Sequence, residues 1–310
     1  MKKAIKNIIF VLLVLIVSMM IISNVNAVTY SFSNSTDVDN ISKMISGKMP
    51  MKNGKYIKNG DVVKFKAGNY YNIKLIINKR ITIKTTKNGK NKVLFIGKIT
   101  DYTGPTPFYG LKLKYNKIKI SGIKLKTYDY GIYGRTNNSK ISQVKFYKVT
   151  YGIRIKGAKN EINKNKFTKC TYGLIIRGKN NLISSNRINN SILAVEISSI
   201  NNKIKKNVLS NLNTGIHLNG DKNTVTDNKI IKAITGIYVE RNKNKISHNT
   251  LLSSKSEGIF VIGLNNIITL NKIFKSEMGI GYVTGNTIKN NIFKSNKINL
   301  KFYESKPGEW

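Results

Sequence analysis

Three side chains of the kind that move protons in enzymes follow one another at intervals of 21 residues. They are Glu196, His217 and Tyr238, and a second carboxylate, Glu240, comes two residues after the phenol. An imidazole near carboxylates and a phenol is suited to general acid–base catalysis, because its pKa lies close to neutral pH. Such chemistry requires side chains that touch, so the spacing matters only if it is a structural period.

Cationic and aromatic side chains with the same spacing lie further upstream. Arg135, Arg154 and Arg177 make up half of the six arginines in a chain dominated by lysine. A guanidinium offers a planar fork of donors that fits a carboxylate or a phosphate. The sequence therefore predicts a ligand-binding stripe with seven members: Lys112, Lys114, Tyr133, Arg135, Arg154, Lys156 and Arg177.

A repeat explains both sets of residues. A small residue followed by an aliphatic one recurs at steps of 21 residues, with one step of 22. The small residues are Gly110, Gly131, Gly152, Gly173, Ala194, Gly215, Gly236, Gly258 and Gly279. Within each unit, apolar and polar residues alternate in short runs between Asn- and Gly-rich turns, as in strands. This pattern predicts an all-β fold, a right-handed single-stranded parallel β-helix with about 21 residues and three short strands per rung.

Stacking of the rungs would bring the proton-moving side chains together. Neighbouring rungs of such a coil are about 4.8 Å apart, so His217 would lie one rung from Glu196 and one from Glu240. The two glutamates would be roughly 10–13 Å apart, beyond the usual separation of the carboxylates in an inverting glycosidase. Two interpretations stay open: an acid–base cluster in a groove, or a mixed polar face exposed to solvent.

A column of asparagines is predicted to be structural. Seven of them lie 13 residues after the small residue of their unit, or 12 in the last unit: Asn165, Asn186, Asn207, Asn228, Asn249, Asn271 and Asn291. In a stack, each amide can donate to one neighbour, accept from the other and bond the turn backbone. Asparagine also tolerates the left-handed backbone conformation that sharp turns need.

Both ends of the chain differ from the repeat. The first residues combine three lysines with an apolar run of 15 residues and small or aliphatic residues before Val28, which is typical of a cleaved secretory signal peptide. An uncleaved membrane anchor is the alternative, although the run is short for a bilayer span. A short amphipathic helix over 35–46 is expected to cap the coil. The predicted organisation is a signal peptide (1–27), a cap helix with irregular first rungs (28–109), regular rungs (110–303) and a tail (304–310).

The charge is strongly unbalanced. There are 54 Lys and Arg against 14 Asp and Glu, a formal net charge of +40. This excess favours a polysaccharide or other polyanionic surface polymer as partner, while export and the lack of a nucleic-acid module argue against nucleic acid. A membrane would be met only through an uncleaved signal segment, and the oligomeric state is left open. The single cysteine and the two distant histidines predict no disulfide, no metal site and no cofactor.

The motifs NGDVVKFKAGNYYN, INKRITIK and GIxIxG…NxIxxNxF resemble secreted parallel β-helix proteins. The resemblance is to the adhesin-like surface proteins of methanogenic archaea and to the NosD-type β-helix family, and it covers roughly residues 37–303. It implies a secreted, cell-envelope-associated protein that binds carbohydrate or acidic polymers without catalysis. The alternative is a polysaccharide lyase or glycoside hydrolase working near Glu196, His217 and Glu240. The copper association of the NosD family is not carried over, because the chain lacks clusters of His, Met or Cys.

Overall fold

A computed structural model describes residues 27–89, 92–100 and 107–304. The predicted signal peptide, apart from Ala27, lies outside the described residues, and so does the predicted tail apart from Glu304. No helix within these described ranges is long and apolar enough to cross a membrane.

The chain winds into a parallel β-solenoid of about 11 turns, which confirms the predicted β-helix. Three faces, called A, B and C, run along it. Face A consists of β1 (Thr29–Phe32), β2 (Val62–Phe65), β5 (Thr82–Thr85), β8 (Lys119–Ser121), β11 (Lys140–Ser142), β14 (Glu161–Asn163), β17 (Leu182–Ser184), β19 (Lys203–Lys205), β21 (Thr224–Thr226), β23 (Lys245–Ser247), β26 (Ile267–Thr269) and β29 (Thr287–Lys289).

Faces B and C form one hydrogen-bonded sheet. Face B holds β3 (Gly68–Tyr71), β6 (Val93–Ile96), β9 (Lys124–Lys126), β12 (Lys145–Tyr147), β15 (Lys166–Thr168), β24 (Thr250–Leu252), β27 (Lys272–Phe274) and β30 (Ile292–Lys294). Face C holds β4 (Leu75–Ile77), β7 (Tyr109–Leu113), β10 (Tyr130–Arg135), β13 (Tyr151–Lys156), β16 (Tyr172–Arg177), β25 (Glu257–Val261), β28 (Met278–Tyr282) and β31 (Ile298–Phe302).

In three rungs the structure differs from the expected three separate strands. Here faces B and C share one long strand: β18 (Arg187–Ile197), β20 (Val208–Leu218) and β22 (Lys229–Val239). The corner residues stay in register with their neighbours, as Ser191 does with Leu212, so the ladder continues around the corner. These three rungs carry the proton-moving side chains.

The small residue of each unit is required by what lies beneath it. A Cβ built on Gly152 would come within 2.6 Å of the Phe167 ring and 2.7 Å of the Gly173 carbonyl oxygen. Phe167 in turn stacks on Phe146 of the preceding rung, with centroids 4.5 Å apart and rings nearly parallel. Small residues therefore let the bulky inner side chains fill a continuous core, in which a buried group costs little only if packing is dense.

Two asparagine ladders hold the turns. In the predicted one, Asn186 Nδ2 donates to Asn207 Oδ1 at 3.0 Å and to the Ile162 carbonyl at 2.9 Å. Its backbone N–H donates to the same Asn207 oxygen at 2.9 Å. Sequence reasoning missed the second ladder, which lies eight residues after the small position, or seven in the last unit: Asn160, Asn181, Asn202, Asn223, Asn244, Asn266 and Asn286.

The left-handed backbone conformation falls on a neighbour of the ladder asparagines, not on the asparagines themselves. In the rung that follows Gly152, the residues with positive φ are Lys159 (57°), Lys164 (55°) and Lys169 (55°). Each lysine backbone N–H donates to a carbonyl of the next rung, at 3.1–3.2 Å. These inter-rung bonds and the adjacent ladders offset the cost of the left-handed conformation, which is about 1–2 kcal/mol for a residue other than glycine.

A helix covers the first rungs at one end. The helix α1 (Val38–Ser46) begins after Asp37, whose carboxylate accepts from the Asn40 backbone N–H at 2.8 Å. It buries Ile41 and Ile45 against the coil beside β4, and it ends at Gly47 in the left-handed conformation. The expected capping helix is present, three residues shorter than the sequence pattern suggested.

Candidate functional site

The strand register places the candidate residues in one outward column of face C. In consecutive rungs this column holds Lys112, Tyr133, Arg154, Ile175, Glu196, His217, Tyr238, Phe260 and Gly281. A parallel column two residues further on begins with exposed cations, Lys114, Arg135, Lys156 and Arg177. Face C is therefore basic over its first regular rungs and carries the acid, imidazole and phenol groups directly after them.

A column of tyrosines accompanies the cations, and sequence reasoning missed it. Tyr109, Tyr130, Tyr151 and Tyr172 each stand directly before the glycine of their unit, so the repeat itself held the signal. The Tyr130 and Tyr151 rings stack with centroids 4.8 Å apart, and Tyr151 and Tyr172 stack at 4.7 Å. Burial, with the phenol of Tyr133 beside it, raises the pKa of Tyr109. These rings form a half-buried aromatic wall at the edge of face C.

The cations lie on this aromatic wall. Arg154 Nη1 donates to the Tyr130 hydroxyl oxygen at 2.7 Å. Its guanidinium lies 5.7 Å from the Tyr130 ring centroid and 5.4 Å from that of Tyr151. Lys112 Nζ lies 5.3 Å from the Tyr133 centroid. Ring faces attract cations within about 6 Å, so the tyrosines orient the positive charges.

Two connected cavities follow the cationic stripe. The first, of about 260 Å³, is lined by Pro107, Tyr130, Tyr133, Gly134, Arg154, Ile155, Lys156 and Arg177. The second, of about 510 Å³, lies at the corner between faces C and A and also has Lys156 and Arg177 in its wall. Its wall extends to Ser198. The two cavities therefore form a groove that leads from Tyr130 toward the acidic rungs.

The groove ends at the acid–base cluster. Ser198 Oγ donates to Glu196 Oε1 at 2.8 Å. His217 Nε2 donates to Glu240 Oε2 at 2.8 Å, and both side chains are largely shielded from solvent, with 21% and 29% exposed. The His217 ring stacks on Tyr238 with centroids 4.9 Å apart. The structure thus joins His217, Tyr238 and Glu240 directly and places Glu196 one rung away.

The cluster can take and give protons. Because Nε2 of a neutral His217 carries the hydrogen donated to Glu240, the lone pair remains on Nδ1, which can accept a proton. Burial, and then the carboxylate of Glu240, raises the pKa of Tyr238, so its phenol stays protonated at neutral pH and can donate. His248, the second histidine, is exposed in a turn between β23 and β24 and belongs to no such group.

The comparisons with known proteins agree with this architecture. Residues 109–240 match a family model described as "Right handed beta helix region", and residues 179–310 match one described as "Periplasmic copper-binding protein (NosD)". The chain is a right-handed β-helix repeat protein of the NosD type. These matches do not extend to the adhesin-like surface proteins of methanogenic archaea. No curated protein matches this β-helix chain.

Solved structures share its fold at low sequence identity. An alginate lyase from Paenibacillus sp. str. FPU-7 is 14% identical, with a TM-score of 0.55 over 87% of this chain and 99% of the lyase. The catalytic domain of a GH87 alpha-1,3-glucanase is 10% identical, with a TM-score of 0.61 over 93% of this chain and 70% of that domain. A tailspike protein of E. coli bacteriophage HK620 is 10% identical, with a TM-score of 0.64 over 91% of this chain and 64% of the tailspike.

The described residues of this NosD-type protein do not fit a copper ion. Copper prefers imidazole, thiolate and thioether ligands. His217 is engaged with Glu240 on face C, His248 lies in a distant turn and Cys170 is buried in the coil. Over the ranges that the structure describes, no three His, Cys, Asp or Glu side chains gather where they could hold a metal. No step proposed below therefore involves copper.

Proposed function

We propose that this protein binds an acidic polysaccharide along face C and cleaves it at the His217–Glu240 cluster. The observation that carries the proposal is continuity: the groove lined by Arg154, Lys156 and Arg177 reaches Ser198, which is bonded to Glu196. A polymer held by the cations would pass directly over the proton-moving groups. The solved lyase and glucanase structures of similar fold favour this reading over binding without turnover.

Cleavage by β-elimination fits these groups better than hydrolysis. Hydrolysis by inversion needs two carboxylates about 6.5–9.5 Å apart, whereas two rungs separate Glu196 from Glu240. In an elimination, His217 Nδ1 removes the proton from the carbon beside a sugar carboxylate. The electron pair forms a carbon–carbon double bond, the bond to the next sugar's oxygen breaks, and Tyr238 protonates that oxygen.

Two further groups support this assignment. Glu240 accepts from His217 Nε2 and so stabilises the imidazolium that forms when Nδ1 takes the proton. Arg241 follows Glu240 in the chain, and its Nε donates to Asn219 Oδ1 at 3.1 Å. Its guanidinium supplies a positive charge beside the cluster, which offsets the negative charge that builds up on the sugar carboxylate.

The test is turnover with His217→Ala and its matched control His248→Ala. Alginate, polygalacturonate and hyaluronan are incubated with each variant, and unsaturated products are followed by ultraviolet absorbance and new ends by a reducing-sugar assay. We expect His217→Ala to lower the rate at least about 100-fold and His248→Ala to leave it within about twofold. Reducing ends without unsaturated product would replace elimination with hydrolysis. Equal rates in both variants would remove the cluster as the catalytic site.

The second candidate function is adhesion, that is, polymer binding without turnover. The cationic stripe on the tyrosine wall supports it, because those rungs lack the acid–base groups and could bind alone. It predicts binding of the same polysaccharides with no product at long incubation. Binding by the stripe would weaken as salt rises. In either case we place the protein outside the cytoplasm, as the basic, apolar start of the sequence and the periplasmic description of the NosD model suggest.

A further inference from the structure

The cavity beside Arg154 lies where the repeat is broken. The position three residues after the small residue points into the core, and it reads Leu113, Gly134, Ile155, Ile176, Ile197, Leu218, Val239 and Val261. Only Gly134 in this series lacks a side chain. Its φ is +131°, and a Cβ there would overlap the carbonyl oxygen of Leu113. A glycine that both departs from the column and lines a cavity indicates a place kept open for a ligand.

The walls of this cavity are flat and mostly apolar. Tyr130 and Tyr133 lie at 5.2 Å between centroids, and Tyr151 backs Tyr130 in the stack. Pro107, from the segment that precedes β7, closes the opposite side. The volume of about 260 Å³ is just below the usual range for drug-sized ligands, which makes it suitable for one sugar ring. The apolar face of a pyranose, made of C–H groups, packs well on such rings.

The charges at the cavity are all positive. Arg154, Lys156 and Arg177 line it, and no acidic side chain is among the described residues of its wall. The hydrogen bond from Arg154 to the Tyr130 hydroxyl fixes the guanidinium, so a ligand carboxylate would meet a donor that is already oriented. Lys156 and Arg177 are exposed at the rim. An oriented arginine favours a bidentate carboxylate over a neutral hydroxyl.

We propose that this cavity, called the Arg154 pocket, is a subsite for a single uronic acid unit. The sugar ring lies against Tyr130 and Tyr133, and its carboxylate is bound by Arg154 with Arg177 at the rim. The pocket is three rungs from His217, about 14 Å along the coil. It therefore selects a charged sugar a few units from the bond that is broken. This inference rests on the proposed function for the class of ligand, but it concerns binding alone.

The experiment measures binding by calorimetry in the His217→Ala background, where turnover does not interfere. The probes are trigalacturonate and trimannuronate, each compared with its methyl ester, which keeps the sugar and removes the charge. Arg154→Gln tests the pocket, and Arg187→Gln is the matched control, because it removes the same charge on face B. Tyr130→Phe removes only the hydroxyl that holds Arg154.

We expect Arg154→Gln to weaken binding of at least one acid about tenfold or more, with Arg187→Gln within about twofold. Tyr130→Phe should weaken it less than Arg154→Gln, and the methyl ester should bind weakly to every variant. The pocket assignment is overturned if Arg154→Gln and Arg187→Gln bind alike, or if ester and acid bind equally. Because binding is read without product, a failure of the cleavage proposal leaves these outcomes unchanged.

Discussion

Cys170 is the residue whose chemistry depends most on burial. Its thiol lies inside the coil with 1% of the residue exposed, at the position held by Val149 and Ala233 in other rungs. Burial raises the pKa of this thiol from its ordinary 9.0 to about 11. Because the folded-state pKa is the higher one, the thiol contributes stability in full below pH 9.0. That contribution is lost as the pH rises through about 11.

The prediction compares the wild type with Cys170→Ala in urea unfolding at pH 8 and pH 11. We expect the wild type to lose up to about 2.7 kcal/mol more than Cys170→Ala between the two pH values, the equivalent of two pKa units. Buried tyrosines such as Tyr70 titrate in both proteins and cancel in the difference. Rapid modification of Cys170 by a thiol reagent in the folded protein at pH 8 would contradict its burial.

Sequence spacing anticipated the residues of the cluster but not their contacts. The period pairs His217 with Glu196 and Tyr238, yet its hydrogen bond goes to Glu240, which lies 23 residues on and belongs to the next column. Side-chain reach decides this, and the period describes only the backbone. The tyrosine wall was readable from the four Tyr-Gly pairs, and it was missed because attention fell on residues after the glycine.

The asparagine ladder is the element that fixes the turns between faces A and B. Asn207 Oδ1 accepts from the backbone and side chain of Asn186, and Asn207 Nδ2 donates to Asn228 and to the Ile183 carbonyl. All of these groups are buried, so water cannot replace a missing partner. At the far end of the ladder, Asn291 is half-exposed and water can reach the groups that it bonds.

This difference predicts unequal costs for the same substitution. Asn207→Ala should lower the free energy of unfolding by about 2–4 kcal/mol, because it leaves several buried donors and acceptors without partners. Asn291→Ala, the matched control, should cost less than about 1 kcal/mol. Both are measured by urea unfolding monitored by circular dichroism. Equal losses would mean that the ladder contributes through packing rather than hydrogen bonds.

The whole molecule behaves as a stack of nearly equivalent rungs. Because every strand pairs in register with its counterpart in the next turn, the removal of one complete turn should leave matching surfaces to rejoin. Deleting residues 208–228 removes 21 residues and would seat β22 on β18 with its alternation kept. Deleting 209–228 removes 20 and turns every later side chain to the opposite side.

We therefore expect the first deletion to keep a β-type circular dichroism spectrum and a cooperative transition, at somewhat lower stability. The second should aggregate or remain unfolded. The first deletion also removes His217, so activity is not the readout here. A folded, cooperative product from the shorter deletion would show that register is set by something other than the inward and outward alternation.

At this scale the sequence was most informative. A period of 21 residues gave the strand order, the faces and the stacking without any knowledge of side-chain contacts, because each turn only has to repeat the one before it. What the period could not supply are the places where a rung departs from its neighbours. Gly134 and the long strands β18, β20 and β22 are of this kind, and both adjoin the candidate site.

The left-handed lysines of the turns bear on how the protein endures among proteases. Trypsin-like enzymes cut after lysine, and Lys159, Lys164 and Lys169 protrude at the corners where such an enzyme would first arrive. A scissile segment must, however, be drawn out into an extended conformation, and these lysines are curled the opposite way with their N–H groups bonded to the next rung. Digestion then has to wait for a rung to open, so survival follows unfolding free energy rather than the number of lysines.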